Sequence, residues 1–236
     1  MADEAKPPPG PIEEPRVFGS VVRAASVGDE GHLAHTLEAQ GDKVAAVKDE
    51  YSCDPISWAA RNGRQGVVNI LIKKEVDLES KSFGGMRPLH HAVNSNEENI
   101  IKELLAKGVD VNAVDESGNT PLHYGCRRGV MGICQILVEK KGDVTAKNGL
   151  GMTPLHVASN NGHISVVQYL ISKDADVNEA DKNGNTPLHV AARTGFKDVV
   201  KALIAAGAKP TTNRAGKTPD QLGEGDIATM IQAISS

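Results

Sequence analysis

A chain of 236 residues can bury a substantial core, and an ordinary apolar fraction with only 3% aromatics suits thin layers packed from alanine, valine and leucine. The net charge of −4 offers no basic field for a phosphate backbone, which argues against nucleic acid as the partner. Apolar runs fall far short of the roughly 20 residues that span a bilayer, and Cys53, Cys126 and Cys134 have neither the number nor the spacing of a disulfide framework or a zinc site.

Residues 1–16, MADEAKPPPGPIEEPR, are proline- and charge-rich and read as a disordered tail able to adopt polyproline II. They lack the apolar stretch of a secretory leader, so the expected location is the cytoplasm or the nucleus. From residue 17 onward the chain is periodic. Aligned on Pro55, Pro88, Pro121, Pro154, Pro187 and Pro219, it repeats at intervals of 33, 33, 33, 33 and 32 residues.

Within each period, Ala59, Ala92, Gly125, Ala158 and Ala191 hold one small position, and Gly63, Asn96, Gly129, Gly162 and Gly195 hold a turn position. Branched residues such as Val67, Ile133, Val166 and Val199 follow, and then Leu71, Leu104, Leu137, Leu170 and Leu203. This pattern predicts two short antiparallel helices joined at the glycine, the first slim enough for close approach. The Asp-, Asn- and Gly-rich links, such as DVNAVDESGNT, predict a projecting hairpin-like finger. In TPLH, threonine serves as N-cap and proline opens the helix where its missing N–H costs nothing.

These residues resemble the ankyrin repeat family, whose pattern is matched closely by TPLHVASNNGHISVVQYLISKDADVN. The resemblance implies an all-α ankyrin-repeat solenoid of stacked helix-turn-helix units with projecting β-hairpin loops. It divides the chain into an N-terminal cap over 17–49, five repeats over about 50–213 and a C-terminal cap over 214–236. Ser20 through Leu37 form the first cap, and Thr218-Pro219 with Ile227, Met230 and Ile231 form the last. Leu104 with Asn112 and Leu170 with Asn178 also match the pattern around asparagines that are hydroxylated in some ankyrin repeats, but turn stabilisation is the role expected of these asparagines.

No catalytic triad, P-loop, dinucleotide fingerprint or HExxH pattern is present. His90, His123, His156 and His189 recur once per layer, and layers roughly 8–10 Å apart make a ladder of such residues rather than a metal cluster. They are expected to hydrogen-bond the neighbouring threonine or loop backbone. Cys126 and Cys134 fall on core positions. The expectation is therefore a protein without catalytic residues, cofactor or metal.

Function is expected where repeats diverge and face solvent. The family resemblance places partner binding on the concave side and on the fingers. Late in each first helix stand Arg61-Asn62, Asn94-Ser95, Arg127-Arg128, Asn160-Asn161 and Arg193-Thr194, preceded by Trp58, His91, Tyr124, Val157 and Val190. Arginine and aromatics are enriched at binding hot spots, so Trp58, Arg61, His91, Tyr124, Arg127, Arg128 and Arg193 are the candidates. Packing between repeats is the competing role for Trp58 and Tyr124. Phe83, Met86, Leu150 and Met152 make the finger tips unusually apolar and form a second candidate surface.

The expected role is a monomeric, non-catalytic adaptor binding a protein with an acidic or mixed polar face. Seven units are also similar to the seven-repeat proteins of the gankyrin type, which would imply a proteasome-assembly chaperone. A structural tether between membrane proteins and the cytoskeleton is the other alternative.

Overall fold

The computed structural model describes residues 20–234; the stretch expected to be a disordered tail, 1–16, lies outside the described residues. Among the described residues, twelve of the thirteen α-helices follow one another as six antiparallel pairs. The first pair is α1 (Ser20–Val27) and α2 (Glu30–Gln40). Five similar pairs follow: α3 (Pro55–Arg61) and α4 (Gln65–Lys73), α5 (Pro88–Ser95) and α6 (Glu98–Ala106), α7 (Pro121–Arg128) and α8 (Met131–Glu139), α9 (Pro154–Asn160) and α10 (Ile164–Ser172), and α11 (Pro187–Thr194) and α12 (Lys197–Ala205). A 3₁₀ turn at Pro219–Gln221 and α13 (Asp226–Gln232) close the stack.

Every inner helix of the five middle pairs begins at the repeated proline, after a residue in extended conformation. Each ends where the backbone turns left-handed, at Gly129 with φ 72° for example, or at Asn96 with φ 65°, the side chain that tolerates this conformation best after glycine. The outer helices bury their branched residues, among them Val67, Ile100, Ile133, Val166 and Val199, against the small residues of the inner ones. At Gly125 a side-chain Cβ would stand 3.3 Å from the Cys134 sulfur, close enough that a larger residue would require Cys134 to shift. Cys126 and Cys134 are fully buried, and burial together with the adjacent Cys134 pushes the Cys126 thiol upward. Each inner helix packs on the next, and one apolar cluster runs from Val21 to Ile231.

The projecting loops correct one expectation, because among the described residues they hold no β-strand. Each is a tight turn closed at its base, where Asp115 N–H donates to Asn119 O at 3.1 Å, Asn148 to Met152 at 3.0 Å and Asp181 to Asn185 at 2.9 Å, with a second bond inside it, as in Gly118 N–H to Asp115 O at 3.0 Å. The backbone groups left over pair with the neighbouring finger instead, as in Glu116 N–H to Gly84 O at 2.9 Å, Gly149 N–H to Ser117 O at 2.7 Å and Lys182 N–H to Leu150 O at 3.0 Å.

Candidate protein-binding surface

The ladder histidines are tied on both sides. A backbone N–H can only donate, so the Nδ1 atoms of His90, His123, His156 and His189 accept from Arg87, Thr120, Thr153 and Thr186 at 3.1–3.2 Å. A carbonyl can only accept, so each Nε2 carries the proton. These groups donate to Asn119, Met152, Asn185 and Lys217, at 3.2, 3.0, 2.9 and 3.1 Å, on the next finger. Burial lowers the pKa of all four rings, against the raising pull of the carbonyls to which they donate. The ladder is therefore neutral and joins each helix start to the next repeat.

Three of the candidate binding residues have a related task. Trp58 Nε1–H donates to Asp49 Oδ2 at 2.5 Å, and the Tyr124 hydroxyl donates to Asp115 Oδ2 at 2.7 Å. Ser82 spends its own proton on Met86 O at 2.9 Å, so His91 Nε2–H donates to Ser82 Oγ at 2.7 Å. In each case the partner lies nine residues earlier, at the base of the same finger, so the side chain braces finger against helix. Trp58, His91 and Tyr124 are only 4%, 5% and 8% exposed, which leaves a partner little more than their edges. Burial, reinforced by nearby Arg61, lowers the His91 pKa to about 3, while burial and the Asp115 carboxylate push the Tyr124 phenol upward.

One helical turn further on lie the arginines. The Arg61 guanidinium sits 5.5 Å from the Trp58 ring centroid, and that of Arg127 sits 4.5 Å from the Tyr124 ring, both within cation–π range. Arg127, Arg128 and Arg193 are exposed and Arg61 is half-buried. The arginines thus stand at or beside one repeated position late in the inner helices, and the aromatics hold two of them.

A family model described as ankyrin repeats (3 copies) matches residues 56–148 and 132–214, which together make up well over half of the chain. The chain belongs to the ankyrin repeat family. No curated protein matches it. Ankyrin repeats are generally protein–protein interaction modules and typically carry no catalytic function.

On the ankyrin fingers the four apolar candidates separate into two kinds. Phe83 and Leu150 are 70% and 64% exposed, whereas Met86 and Met152 tuck down against the core. Glu116 and Ser117 lie between, so the apolar tips do not form one continuous row. Tyr51, absent from the sequence-based candidates, is exposed on the finger beside Phe83, whose N–H donates to Tyr51 O at 3.0 Å. The braces at Asp49, Ser82 and Asp115 also escaped the reading from sequence, although their constant nine-residue offset from Trp58, His91 and Tyr124 was a readable signal. Among the described residues, no helix is long and apolar enough to cross a membrane.

Proposed function

We propose that the chain is a non-catalytic adaptor that binds an acidic partner protein through its concave face. The observation that carries this reading is the composition of that face. At the third, sixth and seventh residues after the repeated proline, the five repeats place Arg61, Arg127, Arg128 and Arg193 and no carboxylate, in a chain where acidic residues outnumber basic ones, 30 to 26. Burial keeps His91 neutral, so the positive charge of the row comes from the arginines.

Pre-organisation is the mechanism. Asp115 holds the Tyr124 hydroxyl, and the Tyr124 ring holds Arg127. A guanidinium already parked on a fixed ring gives up less freedom on binding, where immobilising a free side chain costs about 0.5–1.5 kcal/mol. The test is affinity capture with wild type beside an Arg127→Glu/Arg128→Glu double variant, after circular dichroism has shown both to be folded. Retention of a partner by wild type alone is expected. Equal retention by both proteins would move the contact to the finger tips around Phe83 and Leu150.

A further inference from the structure

The sixth residue after the repeated proline alternates along the stack: Arg61, Asn94, Arg127, Asn160, Arg193. Cations therefore recur every second layer, with an amide midway between them. Asn62 and Asn161, one residue further on, have committed their amides to Ser26 O at 3.0 Å and Val157 O at 2.8 Å. Among the described residues, Asn94 and Asn160 make no such bond, and both are half-exposed on the inner helices. The first and third rungs are also built alike, Asp49–Trp58–Arg61 and Asp115–Tyr124–Arg127, so their guanidinium groups are held at matching positions two repeats apart.

The spacing selects the shape of the ligand. Two layers of about 8–10 Å separate successive arginines by up to about 20 Å. An extended chain rises about 3.3 Å per residue, so it covers that distance in about six residues. A helix rises about 1.5 Å per residue and would need about thirteen. The asparagines favour the extended form. A carboxamide offers one acceptor and two donors, which match the N–H and C=O of a backbone free to bond sideways, whereas a helix has already used these groups on itself.

Resting on the reading that the concave face binds an acidic partner, we propose that this face takes an extended acidic segment of a protein, with carboxylates about six residues apart opposite Arg61, Arg127 and Arg193 and with its intervening backbone bonded by Asn94 and Asn160. The row with no carboxylate of its own supplies the charge complementarity. The alternation supplies the register.

The probes are fluorescein-labelled 13-residue Gly/Ser peptides carrying three glutamates, spaced six apart in one peptide and three apart in the other, with binding followed by anisotropy at low salt. The six-spaced peptide is expected to bind about tenfold more tightly, and Arg127→Gln is expected to lower its affinity about tenfold and to remove the preference between the two. Equal affinity for both peptides, or a preference that survives Arg127→Gln, would overturn the proposal. So would tighter binding of a helical peptide with carboxylates thirteen apart, which would make the occupant a helix. If wild type captures a partner that the Arg127→Glu/Arg128→Glu protein loses, yet the peptides are not distinguished, the register fails while the acidic-partner reading stands. If neither peptides nor a partner bind, both readings fail.

Discussion

Three of the side chains that follow outer helices sit where the backbone favours none. After the outer helices the chain turns left-handed at Gly108 and Gly207, with φ 82° and 87°, and equally at Glu75, Lys141 and Asp174, with φ 53°, 69° and 62°. Crowding between Cβ and the carbonyl in this conformation costs about 1–2 kcal/mol for a non-glycine residue. Lys141 is the cleanest position to relieve. Its side chain is exposed, and the bond it makes to the next repeat is through its backbone carbonyl, which accepts from Asn112 Nδ2 at 3.0 Å and would survive substitution. Lys141→Gly is expected to stabilise the protein by about 1 kcal/mol, seen as a higher thermal midpoint. Asn112 matters at this scale too, because its Oδ1 also accepts from Asp143 N at 2.8 Å; Asn178 repeats the arrangement with Gly207 O and Lys209 N at 3.2 and 2.7 Å. Both asparagines clamp one repeat to the next. That role was legible only as a turn preference, since the partners lie about thirty residues away in sequence.

Between elements, the histidine ladder makes stability depend on pH. His90, His123, His156, His189 and His91 all have folded pKa values below the ordinary 6.5. Below about pH 6.5 the unfolded chain takes up protons that the folded rings refuse, so stability is complete above that pH and is lost as pH falls towards the folded values. Each histidine contributes a slope of up to about 1.4 kcal/mol per pH unit within its window, and for His91 the window reaches down to about 3. Glu179, Asp220 and Asp226 are lowered from the carboxylate range, so their losses begin further down. Urea denaturation at pH 7.5 and 5.5 is expected to show a clearly lower midpoint at the acidic value, about the same slope with urea, and a smaller pH difference in His123→Asn. A pH-independent midpoint would mean that the rings are not held neutral.

Across the described residues, the main helix contacts run between adjacent layers, so stability is approximately a sum of local and nearest-neighbour terms. The far end depends on α13, which covers α12 with Ile227 and Ile231, 7% and 0% exposed. Ile231→Ala leaves a cavity that costs about 2–5 kcal/mol, and the loss is expected to stay near its source. Hydrogen exchange should quicken in α11 to α13 while α5 to α8 keep their protection. An equal rise along the whole stack would show one cooperative unit instead of a linear array.

The period, the helix pairs and the turns were legible in the chain because their causes act over a few residues: proline at a helix start, glycine or asparagine at a left-handed turn, and apolar spacing along each outer helix. Arg127, Arg128 and Arg193 reach solvent because the sixth and seventh positions after the proline lie on the open side of the inner helix. What the letters left ambiguous depended on partners brought close by folding. Trp58, His91 and Tyr124 had the composition of a binding surface, but finger-base residues nine positions earlier fold back to meet their polar atoms and draw the rings inward. Met86 and Met152 tuck under while Phe83 and Leu150 project, since side-chain direction at a finger tip is set by packing on the adjacent repeat. The fingers became a zipped row of tight turns for the same reason: the Glu116, Gly149 and Lys182 N–H groups found partners only when the repeats stacked.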